Sequence, residues 1–266
     1  MIPNDPNFVL RPDSPSDLHL QAKLEHLDET LRAKYAMKGG QTAVGVLDLK
    51  QSRLAWIRAD WMMYGASIPK IAILLTFFEQ NPDMVINLPA PTRHELGLMI
   101  KQSSNEMATK FSRSLGLETI QQVLNSYGFY DPAAGGGIWM GKHYGENSQR
   151  VGDPISDHSH AVTVWQLLRF YLLLEQGKLI SSSASARMRE IFDSPQIPHD
   201  PIKFVKGLQS REVRLRRKWG SWENWLHDSA VVQGEGRYYV LVGLTNHPQG
   251  DEYLAQLAES VDGWMG

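Results

Sequence analysis

Strand-like sequence in this chain is confined to two blocks near opposite ends, and that separation limits its folds more than any other feature. The first block runs from Thr42 to Leu49, turns through the polar Lys50-Gln51-Ser52-Arg53, and resumes at Leu54-Ala55-Trp56-Ile57, which predicts a β-hairpin. The second holds three runs, Arg211 to Arg217, Trp225 to Gln233 and Arg237 to Asn246, with Gln233-Gly234-Glu235-Gly236 as a hairpin turn. From Ser67 to roughly Ile180 the spacing of apolar residues is helical instead. The expected fold class is α+β: an antiparallel sheet formed by both chain ends with flanking helices, plus an inserted all-helical lobe. A cleft between two such lobes is a favoured place for a site.

The flanking helices are predicted at Asp17 to Met37, where Leu18, Leu20, Leu24, Leu27 and Leu31 recur before Lys38-Gly39-Gly40, and at Asp251 to Trp264. Inside the helical block, Ile68 to Phe78 is apolar nearly all round, the mark of a helix buried on every side. Further helices are expected at His94 to Leu115, Leu117 to Tyr127 and Val162 to Gln176. The long polar stretch 131–157 reads as a functional loop, and residues 1–16, with four Pro, as an extended leader. At 266 residues the expectation is one domain, 1–266, with 17–66 and 181–266 in an α/β lobe and 67–180 in a helical lobe.

Composition removes several function classes. Lys and Arg total 27 against 29 Asp and Glu, a net charge of −2, which argues against nucleic acid as a partner. No Cys is present, so thiolate nucleophiles and Cys-ligated metals are excluded. The nine His show no metal-binding spacing, and His158 and His160 read as loop residues, so neither metal nor cofactor is expected. No apolar run approaches the ~20 residues of a membrane span. The opening residues lack the pattern of a signal peptide.

Three short motifs carry chemistry. Ser67-Ile68-Pro69-Lys70 opens the buried helix, and an i, i+3 pair lets a hydroxyl and an amine meet on one face. A buried Lys can lose its proton and activate such a Ser. Alone, the tetrapeptide is a weak signal and reads more readily as a capping Ser with an extended Lys stem. Ser103-Ser104-Asn105 interrupts an apolar pattern between helices and offers a hydroxyl, a spacer and an amide. Lys218-Trp219-Gly220, at the end of the first late strand, sets a cation beside backbone open to close approach.

In this order, S-x-x-K, S-x-N and K-x-G resemble the motif set of the class A β-lactamases and penicillin-binding proteins. The likeness extends over roughly residues 18–265. It implies Ser67 as an acylated nucleophile, Lys70 as its base and Ser103 as the proton donor to the leaving amine. Asn105 would bind the substrate amide, Lys218 would pair with a substrate carboxylate, and Gly220 would line the substrate strand. One oxyanion donor would be the Ser67 N–H and the other would come from the strand after Gly220. A deacylating Glu belongs in the loop before the helix near Ala161, and Glu146 is the Glu available in 131–157, with Asp153 the other carboxylate considered. Two positions depart from the pattern: Ser104 stands for Asp and Trp219 for a hydroxyl residue.

The resemblance thus implies a serine hydrolase acting on β-lactams or related amides and esters; the six Gly of 131–157 leave its one Glu loosely placed, so slow deacylation is expected. The alternatives are a D,D-peptidase, amidase or esterase of the same fold, or a binding-only member. The expected partner is a small-molecule substrate, the expected state a monomer, and the expected compartment periplasmic or secreted, with the cytoplasm as alternative. His227-Asp228 suggests half of a triad, but strand alternation favours a structural use. Arg211, Arg214, Arg216, Arg217 and Lys218 form a basic stripe that is either a solvated strand or an attractor of anionic substrate.

Overall fold

In the computed structural model, which describes residues 5–145 and 149–266, the two strand blocks meet in one five-stranded sheet. The first block supplies β1 (Thr42–Asp48) and β2 (Arg53–Ile57). Five two- or three-residue strands follow: β3 (Met63–Tyr64), β4 (Tyr130–Asp131), β5 (Gly136–Gly137), β6 (Trp139–Met140) and β7 (His160–Val162). The second block supplies β8 (Val213–Trp222), β9 (Trp225–Gly234) and β10 (Arg237–Asn246). The sheet order is β2-β1-β10-β9-β8 with every pair antiparallel, so the hairpin and the later strands join through β1 and β10. The sheet expected from both chain ends is therefore present.

Alternation along β1 sends Val44 and Val46 into one apolar core and Ala43 and Leu47 into another. Each core is closed by helices. The first is covered by α1 (Leu18–Lys34), and the second by the helical block, α2 (Lys70–Gln80), α3 (Pro82–Ile86), α4 (Ala90–Lys101), α5 (Asn105–Leu115), α6 (Leu117–Ser126), α7 (Val164–Gln176) and α8 (Ser182–Asp193). Returning to the first face, α9 (Phe204–Leu208) and α10 (Gly250–Met265) complete its cover. Helix α7 lies so close to the sheet that a Cβ on Gly45 would fall 2.5 Å from Val164 Cγ1. From Lys70 to Phe78 every residue of α2 is buried, as its all-round apolar sequence demands.

Three expectations change. The helix expected over His94 to Leu115 is two helices, because Ser103 adopts a left-handed φ of 59° and Ser104 caps α5 by accepting from Met107 N–H. Helices α8 and α9 went unpredicted; α8 buries Ala184, Met188, Ile191 and Phe192 at helical spacing. The stretch 131–157 is not a bare loop, since β4 pairs with β5, and β6 pairs with β7 next to β3. No described helix is long and apolar enough to cross a membrane.

Candidate active site

The chain enters α2 through a tight turn in which Ile68 N–H donates to the Gly65 carbonyl and Lys70 N–H to that of Ser67. In this 3-10 geometry side chains three apart are eclipsed, so Ser67 and Lys70 rise on one side. Ala66, just before the Ser, has a φ of 46°, a conformation costing about 1–3 kcal/mol that must be held by its surroundings. The Tyr144 hydroxyl holds it, donating to the Ala66 carbonyl at 3.1 Å. Ser67 is half-buried at the wall of an open cavity of about 490 Å³.

Lys70 is fully buried. Its ammonium donates to the Ser103 carbonyl at 2.5 Å, to Ser103 Oγ at 3.2 Å and to Asn105 Oδ1 at 2.7 Å, and lies 4.5 Å from the centre of the Tyr144 ring. The left-handed φ of Ser103 turns both its oxygens toward this amine. With no carboxylate beside it among the described residues, burial pulls the Lys70 pKa down to about 7. From the sheet side Lys218, also fully buried, donates to Ser103 Oγ at 2.9 Å and to the Trp219 carbonyl at 2.6 Å. Burial drives its pKa well below the ordinary Lys value, and repulsion from Lys70 and Arg217 adds to this. Two amines thus share one hydroxyl, an arrangement suited to passing a proton through Ser103.

Strand β8 is the sheet edge facing this cluster. The carbonyls of Leu215 and Trp219 are taken from the open side by His199 and Lys218, so the odd-numbered residues of β8 point their backbone polar groups outward. Ser221 continues that series and lines the cavity beside Ser67, so by strand alternation its N–H turns away from β9 toward the cavity side. Between them Gly220 passes so near the nucleophile turn that a Cβ would lie 2.9 Å from Ser67 N and 3.0 Å from the Gly65 carbonyl oxygen. Gly220→Ala should therefore push the two donors apart and slow acylation on the order of 10²-fold. Single-turnover labelling kinetics would show this, and an unchanged rate would refute the placement of the oxyanion site.

Residues 83–261, about two thirds of the chain, match the sequence family described as the beta-lactamase enzyme family. The chain belongs to the beta-lactamase enzyme family. Among solved structures it is similar to a β-lactamase from Sphaerobacter thermophilus, at 14% identity and a TM-score of 0.73 over 92% of this chain and 97% of that one. A protein designated PBP-A superposes with a TM-score of 0.67 at 17% identity, covering 96% and 98% of the two chains. An ancestral class A β-lactamase gives 0.70 at 18% identity over 91% and 99%. No curated protein matches the sequence significantly. At these identities the solved structures establish the fold alone.

Within this β-lactamase-family fold the two departures have visible causes. Ser104 replaces Asp at a helix N-cap, a position both residues fill well. Trp219 lays its ring 5.3 Å from the Lys218 amine and 4.8 Å from that of Lys203, and donates its indole N–H to the Lys101 carbonyl. It ties β8 to the helical block where a hydroxyl would face substrate. Lys218, expected to pair with a substrate carboxylate, is covered and turned to Ser103; the lysine that lines the open cavity is Lys142.

Glu146 lies outside the described residues. Among the described residues lining the cavity there is no carboxylate; the loop contributes Lys142, His143, Tyr144 and Gly145. Tyr144, missed in the sequence because nothing distinguishes an aromatic in a Gly-rich loop, is pinned three ways. Its hydroxyl binds Ala66, its carbonyl accepts from Thr109 Oγ1, and its ring lies tilted against that of His160 with centroids 4.3 Å apart. Asp153 does not line the cavity. Burial pushes its pKa up, but hydrogen bonds from Ser156 Oγ and the N–H groups of Ser156, His158 and Ile155 outweigh this and hold it low. It organises the loop.

His227 and Asp228 point apart. His227 Nε2 bonds the Tyr64 carbonyl and its Nδ1 accepts from Thr245 N–H, while Asp228 is gripped by Arg217 at 2.8 Å. The basic stripe is also largely spoken for: Arg216 pairs with Glu175 and Asp193, and Arg211 with Asp262. Arg211 and Arg214 are exposed beside carboxylates, while Arg216, Arg217 and Lys218 are buried. No group of three His, Cys, Asp or Glu able to hold a metal occurs among the described residues.

Proposed function

We propose that the protein is an acyl-transfer serine hydrolase, acylated at Ser67 by β-lactams or related amides and esters and slow to release the acyl group. The observation that carries this reading is the buried Lys70 amine, poised near pH 7 one turn from Ser67 and bonded to Ser103 and Asn105. Neutral Lys70 takes the proton from Ser67 Oγ as that oxygen bonds the carbonyl carbon. The carbonyl electrons move onto oxygen, which the N–H groups of Ser67 and Ser221 receive. Collapse breaks the C–N or C–O bond, Ser103 Oγ–H protonates the leaving atom, and Lys70 returns its proton to Ser103. Lys218 holds the Ser103 hydroxyl in line. Deacylation needs a positioned water and a base, and the described cavity wall supplies no carboxylate for it.

One observation favours esters and amides of uncharged acids over carboxylated substrates. Lys218 is covered and Trp219 supplies no hydroxyl for a carboxylate, while Tyr64, Tyr144 and the 59% exposed Trp222 give the cavity aromatic walls. The test is intact-mass spectrometry after incubation with a labelled penicillin, a fluorophosphonate and an uncharged activated ester. A single adduct on Ser67, absent in Ser67→Ala, is expected. No adduct with any probe, or one that survives Ser67→Ala, would overturn the enzyme reading. Stronger labelling by a carboxylated probe than by its methyl ester would return Lys218 to carboxylate binding.

A further inference from the structure

Lys203 is a charged side chain outside all three motifs, and it is fully buried. It stands just before α9 with a φ of 54°, in a segment that other residues hold in place. Arg217 donates to the Asp200 and Ile202 carbonyls, and Phe204 N–H donates to Asp228. The Lys203 amine is thereby aimed at β8, where it donates to the Gly220 carbonyl at 3.1 Å and to Ser221 Oγ at 2.6 Å. Asp251, 3.6 Å away, is its counter-charge and the Trp219 ring packs beside it.

The Gly220 carbonyl and the Ser221 N–H belong to one peptide group. A cationic donor on the oxygen draws electrons through the amide and makes the N–H at its other end more positive, as in any cooperative hydrogen-bond chain. We propose that Lys203 is a positioning residue of the acyl-transfer site, which orients and polarises the Gly220–Ser221 peptide so that its N–H serves as the stronger oxyanion donor. This rests on the reading of Ser67 as the acylated nucleophile. Burial lowers the Lys203 pKa, and Asp251 and Asp228 oppose that fall. Cooperative strengthening of one oxyanion donor amounts to roughly fivefold in acylation rate.

The test compares the parent with Lys203→Met and Lys203→Arg in two measurements. The first needs no substrate: the Ser221 amide nitrogen resonance should move upfield in Lys203→Met and return toward the parent in Lys203→Arg. The second is acylation by an activated ester with a labelled carbonyl. Lys203→Met should acylate roughly fivefold more slowly, with unchanged half-saturation and an acyl carbonyl stretch at higher frequency. A purely structural role would leave that stretch where it is in the folded variant. If Lys203→Met does not fold, Lys203→Gln keeps a neutral donor and should shift the Ser221 resonance in the same direction by less. An unmoved resonance with a parental acylation rate in either folded variant overturns the proposal alone. A parent that no probe acylates overturns the acyl-transfer reading instead.

Discussion

Lys70→Ala should slow acylation of Ser67 on the order of 10²–10⁴-fold, for charged and uncharged substrates alike. The effect is large because the hydroxyl has no comparable base nearby: among the described residues the cavity wall holds no carboxylate, and Lys218 is turned to Ser103. The pH dependence has a definite sign. Burial disfavours the ammonium and sets the Lys70 pKa at about 7, and the neutral amine is the base, so the base form fills as pH rises through that value. Parent acylation should climb about tenfold per unit below it and level off above. Two rings on the cavity wall stay outside this range: His160 is buried with a pKa of about 4, and Tyr144 is pushed well above the ordinary tyrosine value by burial. A profile that is flat from about pH 5 to 9, or one that falls with pH, would remove Lys70 from the role of base.

Asp228→Ala should destabilise the fold by about 3–5 kcal/mol, lowering the melting temperature on the order of 10 °C. Arg217 and Asp228 are both wholly buried, with guanidinium nitrogens 2.8 Å from the carboxylate. Removing the carboxylate leaves an unpaired charge in the interior and also frees Phe204 N–H, loosening the segment that carries Lys203. Removing both partners as Arg217→Met with Asp228→Leu leaves neither charge of the pair behind and should be milder than the single change. Thermal unfolding followed by circular dichroism decides between these. A single variant that melts within roughly 2 °C of the parent would show that Arg217 finds another partner or that water reaches it.

What was legible in the sequence is what repeats or sits in short order. The β-branched runs and the all-round apolar helix gave the sheet and α2, because period and burial are local properties of a segment. The three motifs named Ser67, Lys70, Ser103, Asn105, Lys218 and Gly220, and the fold gathers them around one cleft. The break between α4 and α5 was hidden because it depends on one left-handed residue, Ser103, and on a capping hydroxyl that a helical pattern accommodates. The burial of Lys218 could not be read from K-x-G, since Trp219 folds over it only once β8 meets α4. That Ser221 lines the cavity follows from which edge of the sheet β8 occupies, and Lys203 reaches it from a segment whose position is fixed by Arg217 and Asp228. Such residues acquire their chemistry from tertiary placement, and no spacing announces them.

Ser67 should acylate readily while the acyl-enzyme empties slowly. Stopped-flow hydrolysis of a chromogenic cephalosporin tests both halves at once, run on the parent beside Glu146→Gln. The expected trace is a burst of one equivalent per protein followed by a weak steady state, because acylation has its base and proton relay whereas the described wall offers no carboxylate to aim a water. A burst intact in Glu146→Gln with its steady state lost would make Glu146 the deacylating base, and an unchanged steady state would leave that step to Lys70 or another residue. Fast turnover without a burst in the parent, or no reaction at all, would contradict the account.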